Sequence, residues 1–394
     1  VYFNPMDPEF VADPYQTYHR LRATDPVHHS PLGFWVLTRY EDVVAVLRDP
    51  RLAKEAIASV VAARFGVEVP VGMRLSMLDR DPPDHTRLRG LVSKAFTPRV
   101  VEALRPHIQQ IVDGLLERVE RAGSMDLIEE FAYPLPVVVI CEMLGVPVED
   151  HERFKGWSLE IARSLDLILQ PPDSDLARRS VEARHALTDY FRGLIAERRA
   201  SPRADMLSAL IAAEEAGDRL SEQELMATCI LLLVAGHETT VNLIGNGTLA
   251  LLRHPDELRR LRENPLLIGS AVEELLRYDG PVQRTARIPS AAVTIGGRTI
   301  EAGEMVMPFI GAADRDPAHF PDPDRLDIAR SDNRHIAFGL GIHFCLGAPL
   351  ARLEGQIAIN TLVRRLPKLA LATDRPEYRQ SLTLRGLKTL PVAF

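Results

Sequence analysis

Three cysteines in 394 residues, Cys141, Cys229 and Cys345, are too few to build a disulfide framework, and one of any pair is left over. A reducing, cytoplasmic setting is the expectation. Positive charge is also scarce: 47 Lys and Arg stand against 54 Asp and Glu, a net charge of -7. Nucleic acid is therefore not expected as the main partner, because phosphate binding needs a large basic excess. Long apolar runs are missing too. The first twenty residues carry Asn4, Pro5, Asp7, Pro8, Glu9 and Asp13, which suits neither a signal peptide nor a membrane anchor. The longest uninterrupted apolar stretch, Cys229 to Gly236, is too short to span a bilayer. No internal repeat, low-complexity tract or interdomain linker is visible. What remains, 46% apolar and 26% charged, is the profile of a soluble globular chain.

Apolar residues recurring three and four apart predict helices over 99–121, 137–145, 149–169, 175–199 and 222–252. The last, about 30 residues and roughly 45 Å long at the helical rise, would cross a whole domain and carry its middle residues to the centre. Asn264-Pro265 reads as an N-cap and first-turn proline opening a helix toward Tyr278, and another helix is expected from Gly347 to Leu366. Strand signals are short: Gly33 to Leu37, Val293 to Ile295, Thr299-Ile300 and Met305 to Met307, with Gly296-Gly297 as a hairpin turn. Gly311 to Gly341 reads as irregular, rich in Asp and Pro, and irregular stretches of that length usually wrap something functional. The fold class is mainly α with minor sheet.

The most informative segment is Phe338-Gly339-Leu340-Gly341-Ile342-His343-Phe344-Cys345-Leu346-Gly347. Six defined positions, Phe-Gly-x-Gly-x-His-x-Cys-x-Gly, would arise by chance in a chain of this length with odds of about 10⁻⁵. A metal-bound thiolate is stabilised by backbone N–H groups and by the N-terminus of a following helix. Gly339, Gly341 and Gly347 let backbone approach a flat cofactor that side chains would hold away, and Phe338 can screen the sulfur from water. Cys141 and Cys229, in apolar helical runs, read as core residues. Zinc is disfavoured because His343 and Cys345 lack a second ligand pair at metal spacing.

This loop resembles the haem-binding signature of the cytochrome P-450 superfamily, and the resemblance extends over essentially the whole chain. It implies one domain over 1–394, with about 1–75 and 282–335 supplying most β-structure and 76–281 and 336–366 mostly helical. Haem b would lie between the long central helix and the cysteine loop, with Cys345 as iron ligand and dioxygen as co-substrate. Ala235-Gly236-His237-Glu238-Thr239-Thr240 is similar to the family's oxygen-activation motif. By that match Thr239 contacts dioxygen and Glu238 passes protons inward, Ala235 lies against the haem, Thr240 is structural, and His237 has no assigned role. Gly236 would permit local unwinding of the helix.

Four Glu-x-x-Arg copies occur, at Glu102/Arg105, Glu160/Arg163, Glu257/Arg260 and Glu274/Arg277. The place of the last, about 70 residues before Cys345 and ending at Asp279-Gly280-Pro281, matches the family's scaffold pair, with Arg325 completing a structural triad. His85 and Arg89 lie one helical turn apart and resemble the segment that clamps the haem propionates. His343 is expected to join them, with Arg287, or alternatively Arg284, from the following strand. Substrate contacts by position are Met77, Leu78, Leu232, Val282, Gln283, Thr383, Leu384 and Ala235, an apolar set that suits a lipophilic molecule. The resemblance is strongest to actinobacterial members acting on macrolides, other polyketides, terpenoids or steroids.

No flavin reductase is expected behind Cys345, so electrons would come from a separate ferredoxin or flavodoxin and its reductase. That partner would dock near Lys94, Arg99, Arg105 and Arg352. The expected state is a monomer. A peroxide-driven hydroxylase or decarboxylase, or a non-catalytic haem sensor, is the competing expectation; neither needs the Glu238-Thr239 pair.

Overall fold

The computed structural model describes residues 3–65, 75–169, 175–215 and 220–394. The chain divides into two compact units: Val1–Leu52, Val101–Leu135 and Thr239–Phe394 form the first, and Ala53–Val100 with Pro136–Glu238 the second.

In the first unit, Gly33 takes a φ of 83° and closes the turn between strands Val27–Ser30 and Phe34–Leu37. These pair antiparallel, and Phe34–Leu37 pairs in parallel with Met305–Pro308. Met305–Pro308 is buried along its whole length, as a strand covered on both faces must be. The hairpin at Gly296-Gly297 forms as expected, with Val293 opposite Ile300, and both glycines take positive φ. Strand Val27–Ser30 was not foreseen, because His28, His29 and Ser30 give no β signal of their own. Its partner supplies the apolar face, with Phe34, Val36 and Leu37 fully buried.

Helix Ile268–Asp279 carries the Glu-x-x-Arg pair, and here the four copies separate. Glu102–Arg105, Glu160–Arg163 and Glu257–Arg260 all form ion pairs with arginine side chains between 44% and 53% exposed. Glu274 and Arg277 are 0% exposed and joined by two hydrogen bonds of 2.8 Å. Arg277 also donates to the carbonyls of Asp314, Pro323 and Arg325. Glu274 accepts from the Asp327 amide, Asn333 and Arg330. The third member of the triad is thus Arg330 and not Arg325. The Asp322–Arg325 turn leaves the Arg325 side chain exposed and presents only its carbonyl inward.

The second unit is helical. His151–Arg163 and Asp175–Ala200 pack together, with Phe154 edge-on to Tyr190 at 4.9 Å. The helix expected over 149–169 stops at Arg163 and continues as a tighter 3₁₀ stretch, Ser164–Leu169. There the Ser164 hydroxyl takes the Ile161 carbonyl and Asp166 leaves helical geometry. Likewise 99–121 splits into Pro98–Ala103 and Arg105–Val119, with Pro106 in the first turn of the second helix. Asn264 makes no side-chain cap, and Pro265–Leu267 is a 3₁₀ turn before helix Ile268–Asp279.

The long helix is Glu222–Arg253, 32 residues, and contributes to both units. It is long and apolar enough to cross a membrane by composition, but 72% of its most apolar window is buried in the protein, as in a core helix.

Removing one partner of the buried Glu274–Arg277 pair strands the other charge, so Arg277→Leu should destabilise by about 3–5 kcal/mol. Arg163→Leu, breaking an exposed copy of the same motif, should change stability by only ~0.3 kcal/mol. Urea unfolding midpoints of the two variants check this; equal shifts would contradict the structural ranking.

Candidate active site

Of the three cysteines, two are disabled by burial, which pushes the Cys141 and Cys229 thiols up to about 12. Cys345 is exposed. Its amide donates to the Phe338 carbonyl at 2.9 Å, closing the loop, and helix Ala348–Arg365 begins three residues later with Pro349 in its first turn. The sulfur thus sits at a helix N-terminus, where partial positive charge favours the thiolate.

Gly341 to Cys345 is exposed or half-buried at every position, between the buried Ala337 and Ala348. Gly339 and Gly341 take φ of 72° and 69°. A Cβ on Gly341 would come within 2.6 Å of the Leu47 carbonyl, so glycine is required there for packing as well as for conformation. An exposed sulfur at a helix end, framed by a glycine-lined open loop, fits a flat thiolate-ligated cofactor.

Phe338 is held from behind. The Arg352 guanidinium stacks over its ring at 4.6 Å and chelates Glu273 at 2.7 and 2.8 Å. Burial works against the Glu273 charge, but hydrogen bonds from His335 and Arg352 hold its carboxyl down at about 2. The charge of Arg352 is therefore already matched, as is that of Arg105 by Glu102. Lys94, Arg99 and Arg105 are exposed and Arg352 is half-buried.

Arg284 and Arg287 are both buried, on backbone bridges to Phe309 and Val306. Arg287 donates from Nη1 to the Ala286 carbonyl and the Thr285 hydroxyl. Val282 bridges Leu384, and the Gln283 amide donates to the Thr383 carbonyl, so these four positions come together in the first unit. Gln283 does not suit a substrate contact. It is 2% exposed, and its side chain is consumed by Tyr18, Tyr15 and the Gly280 carbonyl.

In the second unit His85 and Arg89 lie on one face of helix Asp84–Ser93. Burial lowers the His85 pKa and the neighbouring Arg89 charge lowers it further. An anion brought to this pair would relieve both charges, as a propionate clamp requires. Met77 and Leu232 are buried and Leu78 is 37% exposed.

On the long helix, Leu231, Val234 and Thr239 are half-buried and Ala235 is exposed, a stripe of open surface at helical spacing. Glu238 is buried. Gly236 does not unwind the helix, which is regular throughout. A Cβ there would meet Ile140 at 2.8 Å, so the glycine serves close packing. His237 bonds the Leu233 carbonyl and Ser158, a structural role.

One residue escaped the sequence reading. Glu354, on helix Ala348–Arg365, is fully buried and burial pushes its carboxyl up to about 8. The Thr240 hydroxyl eases this only in part, and neither carboxyl oxygen completes a hydrogen bond among the described residues.

The cytochrome P450 family profile matches residues 26–384. Cytochrome P450 107B1 of Saccharopolyspora erythraea is 46% identical, with 98% of this chain and 96% of that protein aligned. The vitamin D(3) 25-hydroxylase of Pseudonocardia autotrophica is 47% identical over 98% and 94%. The crystal structure of myxobacterial cytochrome P450 CYP267B1 in complex with myristic acid superposes with a TM-score of 0.92 at 46% identity, covering 99% of this chain and 98% of that one. The loop and fold define a haem-thiolate protein, and the chain belongs to the cytochrome P450 family. It is a monooxygenase that uses haem b and O2, acts on a lipophilic substrate and draws electrons from a redox partner.

The Glu354 shift sets a pH dependence. Below its ordinary pKa of 4.5 both folded and unfolded chains hold the proton, and the group is neutral in the balance. Between 4.5 and about 8 the unfolded chain releases the proton first, so stability falls as pH rises through that window. Glu354→Gln should remove this slope, giving a thermal midpoint that gains on the parent as pH increases. Parallel midpoint-versus-pH curves for the two proteins would sink the assignment.

Proposed function

We propose that this chain is a ferredoxin-dependent, cytoplasmic monooxygenase that works as a single-domain monomer and hydroxylates or epoxidises a macrolide, polyketide, terpenoid or steroid-like molecule. The observation that carries the reading is the exposed Cys345 sulfur in its glycine-lined loop at the start of helix Ala348–Arg365. Haem ligated by this thiolate supplies the oxygen-activating chemistry, the electron-rich sulfur favouring O–O cleavage.

The chain's own residues divide the remaining work. Phe338, backed by Arg352, keeps water from the sulfur. His85, Arg89 and His343 meet the propionates together with Arg287 or Arg284, both of which stay in contention. Phe338, Gly339, Gly347 and Ala235 present small or flat surfaces to the ring. Thr239 places a hydroxyl on the open stripe of the long helix, and Glu238, one residue earlier, holds and hands on protons at its carboxylate. Met77, Leu78, Leu232, Val282, Thr383 and Leu384 offer the substrate an apolar lining; Gln283 drops out. Relatives whose names specify a vitamin D(3) hydroxylase and a fatty-acid complex support a lipophilic substrate.

Thr239→Ala should leave the reduced carbon monoxide complex unchanged while less of the electron supply ends in product, read as product formed per NAD(P)H consumed. Full coupling would defeat the role of Thr239. Cys345→His should replace the red-shifted Soret band of a thiolate-ligated carbon monoxide complex by that of an imidazole-ligated haem. An unaltered band would show that Cys345 is not the ligand.

A further inference from the structure

Helix Asp175–Ala200 of the second unit carries six arginines. Arg178 pairs with Asp175 and Glu182, Arg179 with Glu160, Arg192 with Asp189, Arg198 with Asp205 and Arg199 with Glu222. Arg184 alone among them forms no ion pair with the described residues. Its Nε is buried and has no hydrogen-bond acceptor among them. Its one charged neighbour among the described residues is Asp79, and the two are not in ion-pair contact.

The Asp79 carboxylate accepts a 2.6 Å hydrogen bond from the Ser76 hydroxyl, with Lys54, Arg80 and Arg184 around it. Arg80 is claimed by Glu55. The rest of the Arg184 side chain is half-buried, but an N–H kept from both water and an acceptor is costly, and such groups persist where a ligand supplies the acceptor. Met77 and Leu78, two apolar residues already assigned to the substrate, directly precede Asp79 in this segment.

We propose that Arg184 is an anchor for a carboxylate-bearing lipophilic substrate: its guanidinium takes the carboxylate, and Met77 and Leu78 lie along the adjoining apolar chain. A planar carboxylate matches the guanidinium fork. A monoanion is preferred to a phosphate dianion because Asp79 stands close by. The proposal rests on the monooxygenase reading; it keeps the lipophilic substrate of that reading and adds a carboxylate to it, in place of the polyketide, terpenoid or steroid-like classes.

The test uses the full haem-loaded chain and saturated fatty acids from decanoate to hexadecanoate, each beside its methyl ester. Dissociation constants come from calorimetry, with the substrate-induced shift of the haem spectrum as a second readout. The parent protein should bind acids more tightly than esters. Arg184→Gln should weaken the acids about 10-fold, the loss of one charge-assisted contact, and the esters less than ~2-fold. Arg184→Lys should recover part of the acid preference. An acid preference that survives Arg184→Gln, equal weakening of acids and esters, or no acid binding tighter than its ester in the parent overturns the anchor. A thiolate-type carbon monoxide spectrum with lost discrimination leaves the monooxygenase reading standing and removes the anchor alone. Acid preference without that spectrum does the reverse.

Discussion

The structure around the cysteine loop depends on one buried ion pair. Glu274 and Arg277, one helical turn apart and closed to solvent, are the point to which the irregular chain between residues 314 and 333 is tied. That stretch has almost no ladder of its own to satisfy its backbone. Arg277 serves three carbonyls and Glu274 one amide and two side chains. A buried pair of this kind gives little net stability against an apolar alternative. What it provides is position: the backbone of a loop without regular structure is held at several points by donors and acceptors that cannot be exchanged for water. Beyond residue 333 the Ile336 amide donates to the Asp314 carboxylate at 2.8 Å, and the chain runs on to Phe338 and the cysteine turn.

The other three Glu-x-x-Arg copies are exposed and make fewer such contacts, although Glu257 accepts from the Ile328 amide and Arg260 pairs with Asp327 in the same loop. Spacing on a helix makes all four pair. Burial sets how many loop groups the pair must hold, because an exposed arginine can satisfy its remaining donors with water.

Sequence pattern made some of this legible and hid the rest for identifiable reasons. The Cys345 loop could be read because few chemistries besides thiolate ligation need glycine, phenylalanine and cysteine at that fixed spacing. The Gly296-Gly297 hairpin was equally plain, since two adjacent glycines permit positive φ at little cost. The long helix showed in its periodicity. Arg330 was missed in favour of Arg325 because a loop has no periodicity that says which side chain turns inward; only the Asp322–Arg325 turn decides it. Gln283 reads as a substrate contact in the sequence because its hydrogen-bond partners Tyr15 and Tyr18 lie more than 260 positions away. Glu354 was invisible for the opposite reason: a glutamate between Leu353 and Gly355 on a helix reads as a surface charge, and only burial reveals a carboxyl that favours its neutral form.

Gly236 shows how a motif can suggest a backbone break that the packing does not make. A glycine in the middle of a helix, beside Glu238 and Thr239, suggests a local break that frees backbone groups for chemistry. The helix is unbroken, and the missing side chain instead admits Ile140. The consequence differs. A break would make the region adaptable, whereas a glycine that seats a neighbour's side chain fixes the helix. With Gly236 packed inward, the open stripe of Leu231, Val234, Ala235 and Thr239 is set at one rotation about the helix axis. The role proposed for the Thr239 hydroxyl calls for such a fixed placement, because a helix free to rotate would move Thr239 off the stripe and expose the buried Glu238.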